Sequence, residues 1–243
     1  MQEKKKKSRG KHQPKGLIVL HHDKHLLVVD KAPGLLTMST DRQSVETAYF
    51  RLTDYVRKGN SKSRERIFIV HRLDREVSGI LLFARSQAVK DALQASWPQV
   101  EKHYLALVHG TPPAESGTFK SYLVENGVHR VHSTQDPSRG KLSETAYKVL
   151  GTGRGYTLLD IRLLSGRKHQ IRVHLAENKL PIVGDLKYGI PRDGGRRLAL
   201  HAKSLAFKHP VTGEDCLFET RTPFLFSRML SAAHIDEPES PAG

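Results

Sequence analysis

Two apolar runs, residues 67–70 and 80–83, enclose a charged segment at residues 71–79 with the sequence HRLDREVSG. Short apolar runs around a polar stretch that ends in glycine are typical of a strand, a turn and a second strand. This arrangement holds loop residues rigidly, and it would present Asp74 on the turn. The basic or imidazole neighbours of this carboxylate are His71, Arg72 and Arg75. Because nearby cations favour the charged form of a carboxyl group, the segment predicts a poised, ionised aspartate.

The rest of the chain alternates short strand patterns with a few helical ones. Strands are predicted at residues 17–20, 26–29, 102–109, 119–124, 128–133, 143–150, 156–163, 198–205 and 216–219. Helices are predicted from a Ser44 cap to Gly59, from a Ser86 cap to Trp97, over residues 169–178, and after Pro223. The glycine-rich residues 151–155 predict a hairpin turn. Without a regular βαβ rhythm, this pattern favours an α+β fold with a mixed, mostly antiparallel sheet.

Length and cysteine content limit the class of protein. The chain has 243 residues, which can form a sizeable folded domain. Its composition predicts a basic disordered arm at residues 1–16, a folded domain at 17–230 and a flexible tail at 231–243. No apolar stretch reaches the roughly 18 residues that span a bilayer. The single cysteine, Cys216, excludes a disulfide framework and favours a reducing, cytoplasmic location.

The excess of basic residues is the strongest bulk signal. The net charge is +15, of which residues 1–16 supply +6, so the remaining +9 belongs to the rest of the chain. A basic folded domain predicts a polyanionic partner, most often a nucleic acid. The alternative is a protein that is basic only for solubility or because it works close to the ribosome.

Cofactor signatures are missing from the sequence. It contains no phosphate-binding loop, and its glycines lack the spacing of a dinucleotide site. Fourteen histidines occur without the paired cysteines or HExxH spacing of a metal site. Ser78 lacks the frame of a serine nucleophile and is interpreted as a turn hydroxyl. We therefore expect neither cofactor nor metal.

A second dense segment, SGRKHQIRVHLA, covers residues 165–176. On a helix His169 and Arg172 would share one face. The pattern leaves two interpretations open: Arg172 points into a cleft and pairs with a carboxylate, or the segment is a solvated, basic helix end.

Several motifs together resemble the RluA-type RNA pseudouridine synthases. They are HHDKHLLVVDKAPGL, HRLDREVSGILLFARS, KHYLALVHG, SGRKHQIRVHLAENKLPIVGDLKYG, LALHAKSLAF and HPVTGE, in the order and spacing of that family. One departure is Val77, where the family usually has threonine. The resemblance implies a sheet that is split by a basic cleft, with Asp74 on the floor of the cleft. It also implies a stand-alone catalytic domain, without the extra N-terminal RNA-binding domain that many members of the family have.

The resemblance also implies an activity, the isomerisation of uridine in ribosomal or transfer RNA, with no cofactor. It makes Asp74 the catalytic carboxylate, as nucleophile or base, with Arg172 as its ionic partner. Tyr104 would stack on the uracil, although a tyrosine on an alternating strand is ordinarily a core residue. Arg72 would fill the space of a flipped nucleotide or contact a phosphate. Further RNA contacts are expected at His71, Arg75, Lys31, Arg167, Lys168 and His169.

Two competing functions are compatible with part of this pattern. An RNA chaperone or a ribosome-assembly factor could keep the fold without the chemistry, but it would not need a carboxylate that repels phosphate in its cleft. An aspartate-based nuclease would need a cluster of metal-binding acids, whereas the acids near these motifs are isolated. A monomer is expected, because RNA would already cover the basic face.

Overall fold

A single eleven-stranded sheet organises the molecule in a computed structural model that describes residues 13–39, 46–191, 193, 195 and 197–231. The strands are β1 (Leu17–His22), β2 (Leu26–Lys31), β3 (Phe68–Ile69), β4 (Ser78–Ala84), β5 (Glu101–His109), β6 (Ser116–Glu125), β7 (Val131–Thr134), β8 (Lys141–Gly153), β9 (Tyr156–Leu163), β10 (Leu200–Lys208) and β11 (Asp215–Glu219). The helices are α1 (Ala48–Arg57), α2 (Gln87–Ala95), α3 (Gln170–Glu177) and α4 (Phe224–Leu230), with a 3₁₀ turn at Trp97–Gln99.

The sheet is mixed and mostly antiparallel, which confirms the predicted α+β class. Its main path runs β1-β2-β4-β10-β5-β9-β8-β6-β7, while β3 pairs with β4 and β11 with β10. Among these strands only β4 and β10 pair in parallel, and they do so over two residues on each strand. This short junction at the centre of the sheet joins strands that are more than 100 residues apart in sequence.

Gly79 makes the central junction possible. It has a φ of +111°, and a Cβ atom at this position would lie 2.2 Å from the carbonyl oxygen of Ala202 on β10. Only glycine allows two backbones to approach so closely with this geometry. Since Ala202 also pairs with Tyr104 on β5, the glycine brings the 71–79 segment within two strands of Tyr104.

Both faces of the sheet are covered around β2 and β4. Leu27, Val29, Leu81 and Phe83 join one core cluster, and the alternate residues of the same strands join another. The first cluster includes side chains of α1, α3 and α4, while the second includes side chains of α2. Burial on both faces explains why these strands are continuous apolar runs instead of alternating patterns.

Most local predictions agree with the structure. Ser86 caps α2 through the Val89 N–H, and Arg154 and Gly155 form the two-residue hairpin turn with φ values of 53° and 78°. Thr47 caps α1, whereas the predicted cap Ser44 lies outside the described residues.

The described chain includes the end of the predicted basic arm. The side chain of Gln13 accepts a hydrogen bond from the Val19 N–H, and Pro14 is buried, so residues 13–16 pack on the fold. Residues 1–12 and 232–243, which carry the rest of the predicted arm and tail, lie outside the described residues. No helix in the described ranges is long and apolar enough to span a membrane.

Candidate active site

The loop at residues 71–77 forms one wall of a cleft of about 1060 Å³. Thr37 braces this loop at Leu73, because its hydroxyl group donates to the Leu73 carbonyl at 2.9 Å and accepts from the Leu73 N–H at 3.1 Å. The N–H of Val77 donates to the Asp74 carbonyl, and the Gly34 N–H donates to the Arg75 carbonyl at 2.9 Å. These backbone contacts fix the position of Asp74 in the cleft.

Lys31 is a structural residue, which corrects its predicted role as an RNA contact. Its side chain is fully buried, and its ammonium group donates to the carbonyl oxygens of Ala32, Leu35 and Arg75 at 2.8–3.2 Å. Burial lowers its pKa to about 8 against the raising effect of nearby carboxylates. The sequence predicts a positive charge near Asp74, but the ammonium group of Lys31 binds backbone carbonyl groups of the protein itself.

His71 also supports the loop from within. Its Nε2 accepts a hydrogen bond from the Leu82 N–H at 3.0 Å, and its ring stacks on Trp97 with centroids 4.8 Å apart. Loss of hydration lowers its pKa to about 3, and the charge of Lys102 adds to this shift. Its Nε2 atom is therefore occupied by a backbone donor, while the RNA contact expected at His71 stays a prediction.

Arg172 lies between two carboxylates. Its Nη1 donates to Asp74 Oδ2 at 3.0 Å, while its Nε and Nη2 donate to the two oxygens of Asp185 at 2.8 and 2.7 Å. Burial acts to lower the pKa of Arg172, but the hydrogen bonds and charge of Asp185, followed by those of Asp74, outweigh it and raise this pKa. The predicted ion pair is present, and since residues 170–175 are buried, a solvated helix end is excluded.

Asp74 is held through one of its two oxygens. Besides Arg172, the Nε2 atom of His169 faces Oδ2, at 3.7 Å. Among the described residues no hydrogen-bond partner is found for Oδ1, and the side chain is 28% exposed. The carboxylate is therefore anchored at one oxygen and open to the cleft.

Tyr104 lines the same cleft from the centre of β5. Burial, and then the negative charge of Asp74, raise the pKa of its phenol above the ordinary value. The phenol is consequently protonated at neutral pH and can act as a hydrogen-bond donor next to the carboxylate.

Four cations occupy the rim of the cleft, all on exposed residues. They are Arg72, Arg75, Arg167 and Lys168. Arg72 forms no hydrogen bond or ion pair with any residue that the structure describes, whereas Arg75 bonds the Gly34 carbonyl and Lys168 pairs with Glu125. The rim can therefore present positive charge to a polyanion.

Sequence reasoning missed Asp185 and Tyr188. Asp185 is buried and orients Arg172, while the Tyr188 hydroxyl bonds His169 at 2.8 Å. Both lie in the GDLKYG part of the motif that carried the resemblance, but nothing in their spacing indicates contact with the site. No group of three or more potential metal ligands occurs within the described part of the chain.

Comparisons with known proteins agree with this architecture. Residues 25–177 match the model of the RNA pseudouridylate synthase family. The chain is 35% identical to a ribosomal large subunit pseudouridine synthase D of Xanthomonas campestris, covering 90% of this chain and 70% of that protein. It is 32% identical to a dual-specificity RNA pseudouridine synthase RluA of Pasteurella multocida, covering 86% and 94%. The solved structure of human RNA pseudouridylate synthase domain containing 1 matches with a TM-score of 0.71 at 27% identity, covering 90% of this chain and 88% of that one.

Proposed function

The chain belongs to the RluA-type RNA pseudouridine synthases, and we propose that it converts specific uridines of structured RNA with Asp74 as the catalytic carboxylate. In this isomerisation the bond from ribose C1′ to N1 of uracil breaks, a bond from C1′ to C5 forms, and a proton passes from C5 to N1. The observation that carries the proposal is the 3.0 Å ion pair between Arg172 and Oδ2 of Asp74, which leaves Oδ1 open to the cleft.

Asp74 acts on the ribose either as a nucleophile or as a base, and both roles need the ionised form. Arg172 donates a hydrogen bond to Asp74, but Asp185 shares the same guanidinium. Two carboxylates on one cation leave net negative charge at the site, which suits attack on an electron-poor sugar carbon. Tyr104, protonated and half-buried near Asp74, would stack on the uracil and serve the late proton transfer.

The target nucleotide must leave the base stack of the RNA to reach Asp74 in the cleft. Arg72 is suited to take its place, because it is exposed at the cleft two residues before Asp74 and its guanidinium is planar. Arg75, Arg167 and Lys168 would contact phosphates and add affinity without much sequence preference. We further propose that the protein acts as a cytoplasmic monomer on ribosomal or transfer RNA, without a metal or cofactor. Mapping pseudouridines in total RNA from cells with and without the protein would identify the sites.

Asp74→Asn tests this function directly. The change removes the charge but little volume, so we expect conversion of uridine in total RNA from cells lacking the protein to fall by about 10³-fold or more, with RNA affinity nearly unchanged. Asp91→Asn on α2 removes the same charge at an exposed position and serves as the control. Wild-type rates in the Asp74 variant would refute the catalytic assignment, and a wild-type protein that binds RNA without converting it would be an RNA-binding protein of this fold.

A further inference from the structure

One close neighbour of Asp74 has no role in the proposed chemistry. His169 lies at the N-terminal end of α3, and its Nε2 faces Asp74 Oδ2 at 3.7 Å. Its backbone is left-handed, with φ 54° and ψ 13°, a conformation that few residues other than glycine adopt. The ring is thus aimed at the carboxylate at a distance slightly too long for a hydrogen bond.

The opposite side of the imidazole is tied to Tyr188. The Tyr188 hydroxyl lies 2.8 Å from Nδ1 and accepts a hydrogen bond from the Val131 N–H at 3.0 Å. Because its oxygen already accepts this bond, the phenol satisfies its own hydrogen by donating it to Nδ1. The imidazole proton then belongs on Nε2, the atom that faces Asp74. A lone pair at Nε2 would instead point at a carboxylate, so electrostatics at both nitrogens favour the same tautomer.

The ring is also kept uncharged. Burial lowers the pKa of His169, and although the charge of Asp74 opposes this shift, the charges of Arg172, Lys187 and Lys168 add to it. His169 consequently presents a neutral N–H group to the carboxylate at neutral pH.

A single short segment, residues 185–188, supports both side chains that face Asp74. Asp185 holds Arg172, and its Oδ1 also accepts the N–H groups of Lys187 and Tyr188 at 2.9 and 3.0 Å. The ring of Tyr188, whose hydroxyl holds His169, lies 5.1 Å from the Arg172 guanidinium. The two donors are therefore positioned relative to each other by one tightly bonded turn.

We propose that His169 is a positioning residue, fixed by Tyr188 as the Nε2–H tautomer, that donates a hydrogen bond to Oδ2 of Asp74 when uridine occupies the cleft. Arg172 donates to the same oxygen, so the two donors hold Oδ2 and direct Oδ1 towards the ribose. A movement of about 1 Å closes the gap, and hydrogen bonds of this kind tighten when substrate binds. The inference rests on the proposed role of Asp74.

Three variants separate this role from a phosphate contact. His169→Leu removes the donor, His169→Gln keeps a neutral side-chain N–H, and Tyr188→Phe keeps the ring but removes the hydroxyl. Total RNA from cells lacking the protein is the probe, with RNA affinity and the single-turnover rate of uridine conversion measured separately. We expect His169→Leu to slow conversion about 10- to 100-fold at unchanged RNA affinity, and His169→Gln to restore most of the rate.

Tyr188→Phe gives a measurement that would not change if His169 had only a structural role. Without the phenol as donor, Nδ1 can bind a proton, and the charged ring then pairs with Asp74 through its Nε2–H group, so the pKa of His169 rises. We expect a smaller loss of rate than in His169→Leu, together with a new pH dependence near neutrality. If His169→Leu unfolds early in thermal melts, the pH profile of Tyr188→Phe decides the question. His132→Leu, at an exposed position, is the control.

Several results would overturn the proposal. These are a wild-type rate in His169→Leu, a loss of RNA affinity at an unchanged rate for bound RNA, equal defects in folded His169→Gln and His169→Leu, or an unaltered pH profile in Tyr188→Phe. The Asp74→Asn variant distinguishes this failure from a wrong function. If it is inactive while His169→Leu is fully active, only the role of His169 is refuted. If it is fully active, the catalytic role of Asp74 fails and the role of His169 fails with it, whereas a wild-type protein that does not convert uridine would refute the proposed function itself.

Discussion

The two walls of the cleft hold Asp74 and Arg172 by different kinds of interaction. The first wall, residues 71–77, is bonded mainly to neutral backbone and hydroxyl groups, as at Thr37 and Leu73. The second wall, residues 165–172 with residues 185–188, depends on a buried arginine between two carboxylates. The loop that carries Asp74 is thus fixed by many weak contacts, whereas Arg172 is fixed by strong ion pairs whose charges are costly to bury. A single charge removal should therefore damage the second wall most.

The largest effect is expected for Asp185→Ala. Removal of one partner from a buried ion pair leaves Arg172 poorly compensated, so the free energy of unfolding should fall by about 3–5 kcal/mol, with a large loss of activity. Urea unfolding measures the first effect and uridine conversion the second. Asp215→Ala breaks the exposed pair with Lys208 and should cost less than about 1 kcal/mol. Equal losses in the two variants would show that burial of the Arg172 pair adds no stability.

A smaller effect is expected for Lys31→Met, which removes the ammonium group that supports the first wall. The change leaves three carbonyl groups without their ammonium donor, which should lower the free energy of unfolding by about 1–3 kcal/mol. RNA affinity should match that of Lys24→Met, which removes the same charge from an exposed turn. If Lys31→Met lost RNA affinity while keeping its stability, Lys31 would be an RNA contact and not a structural residue.

The smallest effect at neutral pH is expected for His71, because its effect on stability appears only as the pH falls. Its pKa in the folded protein is about 3, below the ordinary 6.5, so the unfolded chain binds a proton first as the pH falls. Stability should therefore decline between about pH 6.5 and 3, by up to about 1.4 kcal/mol for each pH unit. His71→Gln, which can still accept a hydrogen bond, should flatten this decline in urea unfolding at pH 7, 6 and 5. Parallel curves for both proteins would rule out His71 as the source.

Local predictions succeeded where neighbouring residues decide the outcome. Ser86 caps α2 because its hydroxyl reaches an N–H three residues away, and the turn at Gly155 needs only a local positive φ. Lys31 could not be assigned in this way. Its pattern is that of a charged strand end, and its carbonyl partners include Arg75, which is 44 residues away.

The sequence by itself determined the strand and helix pattern, the α+β class, the basic character and the family, because periodicity, turn chemistry and ordered motifs are local signals. Only the tertiary structure decided which cations face the cleft. Arg172 reaches Asp74 across 98 residues, and Asp185 orients it from the far side. The roles of Lys31, His71 and Arg172 differ because burial and pairing depend on which segments the sheet brings together, and the charges read along the chain do not specify that.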